Sequence, residues 1–104
     1  MKIAIAVTSS GKDAHVDTHG ARAPYYLILN KDTGSSETLP NPVSQTERRA
    51  GPQAAAFLVS QGVEKVVAGD FGPKFRTELE GSNIVCTEMA GSVMKVVAEL
   101  SAHV

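Results

Sequence analysis

The chain of 104 residues has one cysteine, no tryptophan, and aromatic side chains at only 5% of its positions. One thiol cannot make a disulfide framework, which fits a reducing compartment and leads us to expect a cytoplasmic protein. Nor can it supply the four thiolates that an iron–sulfur cluster usually takes from a protein. An excess of one charge is also missing. Ten basic and 11 acidic residues give a net charge of −1, and the longest basic run is Arg48-Arg49. That balance leaves no electrostatic footprint for nucleic acid or a membrane surface. Apolar runs are short. Ile3 to Val7 is too brief for a signal-peptide core, and nothing approaches the roughly 20 apolar residues of a membrane span.

Hydrophobic residues make up 42% of the chain, enough for one core, and we expect a single domain over 1–104. With so few aromatics, that core must be Val, Ile, Leu and Ala. Lys2-Ile-Ala-Ile-Ala-Val7 is apolar on both faces and reads as a central strand. The polar stretch from Thr8 to Gly20 reads as a loop. Residues 25–29 form a second strand, Lys31-Asp32-Thr33-Gly34 has hairpin-turn chemistry, and 36–39 make a short edge strand ended by Pro40 and Pro42. An Ala-rich helix is expected over 52–61, with Ala55, Leu58 and Val59 buried and Gly62 as its stop. A strand at 63–68, a helix at 73–80 with Phe75 and Leu79 inward, and a strand at 84–87 follow. The last helix starts at Ser92, with Val93, Val96, Val97 and Leu100 inward. The order βββαβαβα predicts an α/β fold with parallel strands in its second half.

A recurring turn sharpens this expectation. Ala50-Gly51-Pro52, Gly69-Asp70-Phe71-Gly72-Pro73 and Ala90-Gly91-Ser92 each open a helix, and two of them directly follow predicted parallel strands. A helix start exposes unpaired N–H groups and the positive end of the dipole. Such turns gather at the carboxyl edge of an open sheet, so that edge is expected to attract an anion.

The chemistry-bearing residues are few. Asp13, His15, Asp17 and His19 alternate, so in an extended segment they share one face, and imidazole with carboxylate suits first-row divalent metals. Asp and His are equally at home in a solvated loop. Asp70 could orient a ligand or satisfy turn amides, and Phe71 is a pocket wall or ordinary packing. Met89 offers a soft thioether, or fills a gap. Cys86 reads as a small buried hydrophobe flanked by core residues Ile84 and Val85. Arg22, Arg48, Arg49, Lys74 and Arg76 fall near the ligand edge and are candidate anion partners. A Gly-x-Ser-x-Gly elbow and a Walker-type phosphate loop are both missing.

These residues carry a family resemblance. The opening strand is followed by His19-Gly20-Ala21-Arg22-Ala23-Pro24-Tyr25-Tyr26, similar to a His-Phe-Gly-Arg-Ala element that leads into an aromatic strand. Asn41-Pro42, Ala50-Gly51-Pro52, Gly69 with Gly72-Pro73, and Ala90-Gly91-Ser92-Val93 match further motifs. Gly20 and Ala21 replace Phe and Gly, and Arg48-Arg49 stand where a second His is usual. From Met1 to about Leu100 the chain resembles the nitrogenase iron–molybdenum-cofactor biosynthesis and carrier family, including the similar orange-protein group of molybdenum–copper carriers.

The resemblance implies a ribonuclease H-like fold: a mixed five-stranded sheet flanked by helices. It also implies non-catalytic binding, carriage or storage of an anionic metal–sulfur cluster or its precursor, of iron–sulfur, iron–molybdenum or molybdenum–copper type. His19 would be a terminal metal ligand, with His15 a second candidate. Arg22, Arg48, Arg49, Gly51, Gly69, Asp70, Gly72, Met89 and Gly91 would form the surrounding site. A cluster-donor or acceptor protein is the implied partner, with no nucleic acid and no membrane. The alternative is a small-anion or partner-binding module without metal. A metal-dependent nuclease is disfavoured, because Lys2 to Val7 holds no carboxylate.

Overall fold

Strand β1 (Lys2–Val7) is buried at every residue after Lys2, and its alternation decides what packs on each side. Ile3, Ile5 and Val7 join one core cluster, whereas Ala4 and Ala6 join the other. The structure, a computed structural model, describes residues 1–11, 13–45 and 50–102. β1 lies at the centre of a five-stranded sheet of order β3-β2-β1-β4-β5. β2 (Tyr25–Asn30) runs antiparallel to it, and β3 (Ser36–Pro40) antiparallel to β2. β4 (Lys65–Ala68) and β5 (Val85–Glu88) continue the sheet in parallel. The expected mixed α/β architecture is therefore present.

Helices α1 (Ala50–Ser60) and α2 (Pro73–Gly81) cover the face of Ala4 and Ala6, burying Ala54, Leu58, Phe75 and Leu79 against Tyr26, Ile28 and Val66. The two alanines of β1 add little bulk there, and the fully buried Tyr26 and Phe75 supply it. Among the described residues, α3 (Val93–Ala102) is the one helix on the opposite face, where Val96 and Leu100 join Ile3, Ile5, Val7 and Val67.

The core is therefore not built of Val, Ile, Leu and Ala alone, as composition predicts, because the few aromatics are concentrated in it. Three further details differ from the sequence reading. Val59 is 46% exposed, because the buried stripe of α1 runs through Ala50, Ala54, Ala55 and Leu58, one residue out of phase with it. Val85 is 57% exposed on the edge strand, where α3 leaves it uncovered. Cys86 is half-buried rather than buried, packed against the α1/α2 cluster.

A polar network ties the loop before β2 to the core. The Tyr26 hydroxyl donates to the Gly20 carbonyl at 2.6 Å. Asn41, only 4% exposed, donates through Nδ2 to the carbonyls of Ala21 and Ala23 and accepts from the Val43 amide through Oδ1. These bonds pin the 3-10 turn Gly20–Arg22. Burial, with the Asp17 charge second, pushes the Tyr26 phenol well above its ordinary 10.0. The neutral phenol is thus favoured in the folded state. That contribution is complete below pH 10.0 and is lost as the pH rises past it, where the unfolded chain ionises first. Tyr26→Phe is expected to cost about 1–3 kcal/mol in urea unfolding at neutral pH. It should also lessen the fall in stability on the alkaline side.

Candidate functional site

The carboxyl ends of β1 and β4 lie side by side, and the chain leaving β1 returns across them. The Asp17 amide donates to the Ala6 carbonyl at 2.8 Å. The Gly69 amide then donates to the Asp17 carbonyl at 2.9 Å, and the Gly20 amide to the Asp70 carbonyl at 3.0 Å. This fit requires glycine at position 69, since a Cβ there would stand 2.9 Å from the Thr18 Cα. Gly51 permits a second close approach, its Cβ position lying 3.0 Å from the Phe75 amide nitrogen. The first turns of α1 and α2 consequently meet. Between them and the His19 loop lies an open groove of about 410 Å³.

His19 sits at the rim with its side chain 79% exposed. Arg22 and Lys74 line the same groove, opposed by the exposed carboxylate of Asp70. Neither helix has an acidic residue in its first turn, and no side chain caps the start of α2 at Gly72. Two positive dipole ends therefore face the groove, with Asp70 the carboxylate among the residues lining it. Phe71 and Phe75, stacked with ring centroids 5.8 Å apart, give it an apolar wall. The Arg76 guanidinium lies 5.0 Å from the Phe71 ring centroid, and Glu88 holds it at 2.9 Å. Arg76 is thus committed to a surface ion pair and does not line the groove. Among the described residues, no group of three His, Cys, Asp or Glu side chains could hold a metal ion. A metal-bearing guest would have to bring most of its own ligands.

The sequence profile described as dinitrogenase iron–molybdenum cofactor matches residues 1–103. The chain belongs to the dinitrogenase iron–molybdenum cofactor family. Its structure is similar to that of the apo orange protein from Desulfovibrio gigas, with 25% identity and a TM-score of 0.87 over 95% of this chain and 85% of that one. It also shares its fold with a Thermotoga protein of the DUF35 family, at 24% identity and a TM-score of 0.82, covering 98% of this chain and 88% of the other. No curated protein sequence matches the chain.

In this member of the iron–molybdenum cofactor family, His19, Arg22, Gly51, Asp70 and Gly72 line the groove, and Gly69 supports it from behind. Arg48 and Arg49 lie outside the described residues. His15, Met89 and Gly91 do not line it. α3 leaves β5 toward the other face of the sheet, so the third helix start departs from the first two. Its leading amides are also spent internally, Val93 on the Ala14 carbonyl and Lys95 on Ser92 Oγ. His15 bridges Ser92, the Gly91 carbonyl accepts from the Val16 amide, and Met89 packs into the α3-side core. The alternation from Asp13 to His19 breaks at Asp17, where Oδ1 turns back to accept the His19 amide at 2.7 Å. The two histidines are not brought together. Thr18 and Ala21 also line the groove, placed there by the loop's path and marked by no pattern in the sequence.

Two predictions follow from this packing. Gly69→Ala should lower stability by about 1–3 kcal/mol, read as a lower urea midpoint, because a backbone atom has to move to admit the methyl. For Cys86, partial burial raises the thiol pKa, the Arg76 charge opposes this, and Glu80 adds to it. Little thiolate then forms at neutral pH. A thiol reagent should label native Cys86 more slowly than the unfolded chain, and Cys86→Ala should cost about 1 kcal/mol through a small cavity.

Proposed function

We propose that the protein binds an anionic metal–sulfur cluster or its precursor in this groove and carries or stores it without catalysing a reaction. His19 acts as terminal ligand. Arg22, Lys74 and the two helix starts balance the charge, and the stacked Phe71 and Phe75 shield one side. The cargo is of iron–sulfur, iron–molybdenum or molybdenum–copper type, exchanged in the cytoplasm with a donor or acceptor protein. The observation that carries this reading is the meeting of one exposed imidazole with two helix N-termini whose first turns hold no acidic residue. Each helix end contributes about 0.3–1 kcal/mol toward an anion. That selects the sign of the guest but leaves its retention to the coordinate bond. A preassembled cluster supplies its own sulfides, so one protein ligand suffices.

Anaerobic incubation with tetrathiomolybdate and a copper(I) salt, or with iron and sulfide, followed by desalting, metal analysis and visible spectroscopy, tests the proposal. The wild type should emerge coloured and metal-loaded. His19→Ala should lower retention by more than about tenfold, with thermal unfolding little changed because His19 is exposed on a loop. Loading should also weaken with ionic strength. A colourless wild type that binds only small oxyanions would replace this reading with the anion-binding module. Equal retention by wild type and His19→Ala would remove His19 from the site.

A further inference from the structure

We infer that Asp17 is the positioning residue for His19: its carboxylate fixes the histidine's backbone and faces ring Nδ1, so that Nε2 is the atom offered to the groove. The inference rests on the reading of His19 as the cargo's ligand. With its side chain 79% exposed, His19 has almost no packing to fix its ring, so its orientation must come from polar contacts within its own loop. Three such contacts exist. Asp17 Oδ1 accepts the His19 amide at 2.7 Å and stands 3.6 Å from His19 Nδ1, and Thr18 Oγ1 lies 3.2 Å from the same nitrogen. All three act on the backbone or on Nδ1. Among the described residues, no hydrogen-bond partner stands at Nε2.

Asp17 is suited to the task because it is itself immobilised. Its side chain is only 16% exposed, its amide is bonded to Ala6 at the end of β1, and its carbonyl is bonded to Gly69 at the end of β4. The carboxylate is therefore referenced to the central sheet rather than to the surface. Thr18 alone leaves the tautomer open, since a hydroxyl either donates to Nδ1 or accepts from it. The negative charge of Asp17 decides between these. It favours hydrogen on Nδ1, with the Thr18 oxygen accepting, and leaves the Nε2 lone pair free. A carboxylate behind a ligating imidazole fixes ring and tautomer in the same way in metal sites generally, and its loss typically costs 10–100-fold in affinity.

The test has one arm without cargo and one with it. Long-range proton–nitrogen spectra of the apo-protein, at a pH where imidazole is neutral, report which ring nitrogen of His19 carries hydrogen. The wild type should carry it on Nδ1, and Asp17→Asn, which keeps an oxygen for the His19 amide but removes the charge, should shift it toward Nε2. With tetrathiomolybdate and copper(I), Asp17→Asn and Asp17→Ala should lose about tenfold or more in retention. Asp17→Ala should add no further loss to His19→Ala, because the residue acts only through the histidine. Hydrogen on Nε2 in the wild type, unchanged retention in Asp17→Asn, or an additive loss in the double variant would each overturn the inference. If the apo spectra come out as expected while the wild type retains no cluster, Asp17 still positions His19 and it is the cluster reading that fails. Urea unfolding of Asp17→Asn checks that the loop remains folded.

Discussion

A Cβ at position 69 would stand 2.9 Å from the Thr18 Cα, so the loop carrying His19 and the turn that begins α2 are in backbone contact. Three backbone hydrogen bonds, from Asp17 to Ala6, Gly69 to Asp17 and Gly20 to Asp70, hold that contact. Without it, an exposed histidine would sit on a loop with no fixed relation to the helix ends. With it, the imidazole, two dipole ends and the cations Arg22 and Lys74 share one groove before any guest arrives. Preorganisation matters here because each contribution is small. Two helix ends are together worth about 0.6–2 kcal/mol, which ordering a floppy loop on binding could cancel.

The sheet's two faces divide the labour. On one side, the small Ala4 and Ala6 are covered by α1 and α2, whose first turns meet at Gly51 and Phe75. On the other, Ile3, Ile5 and Val7 are covered by α3, and the start of that helix is capped by Ser92 and bonded to Ala14. The third Gly-led turn is thus a structural joint. The groove belongs to the face with two helices, and the buried network of Tyr26 and Asn41 beneath it holds the 3-10 turn that forms its far wall.

The strand and helix order could be read from periodicity, because β1 is apolar on both faces and Gly or Pro punctuates each later element. The edge of the sheet where the helices start could be read too. Which helix goes to which face could not. Ala90-Gly91-Ser92 differs from Ala50-Gly51-Pro52 in ending on a serine that caps its own helix, but nothing in either turn says which face of the sheet its helix will cover. The alternation Asp13, His15, Asp17, His19 misled for a related reason. It holds while the strand-like segment lasts, with Ala14 and Val16 buried and His15 exposed, and ends where Asp17 spends its carboxylate on its own loop. Val59 and Val85 failed as core positions by a one-residue phase error and by lying on an uncovered edge, respectively. His19 stood out through the family motif rather than its spacing, while Thr18 and Ala21 had no mark at all.

The central claim is that an anionic cluster docks between the His19 loop and the starts of α1 and α2. Following backbone amide resonances while tetrathiomolybdate and copper(I) are added to the apo-protein tests it most directly. The account predicts that the largest changes cluster at Gly20 to Arg22, Gly51, Gly72, Lys74 and Phe75, with the α3 face unaffected. Changes centred instead on Ser92 to Val97 and on Leu27 would contradict it and move the site to the other side of the sheet.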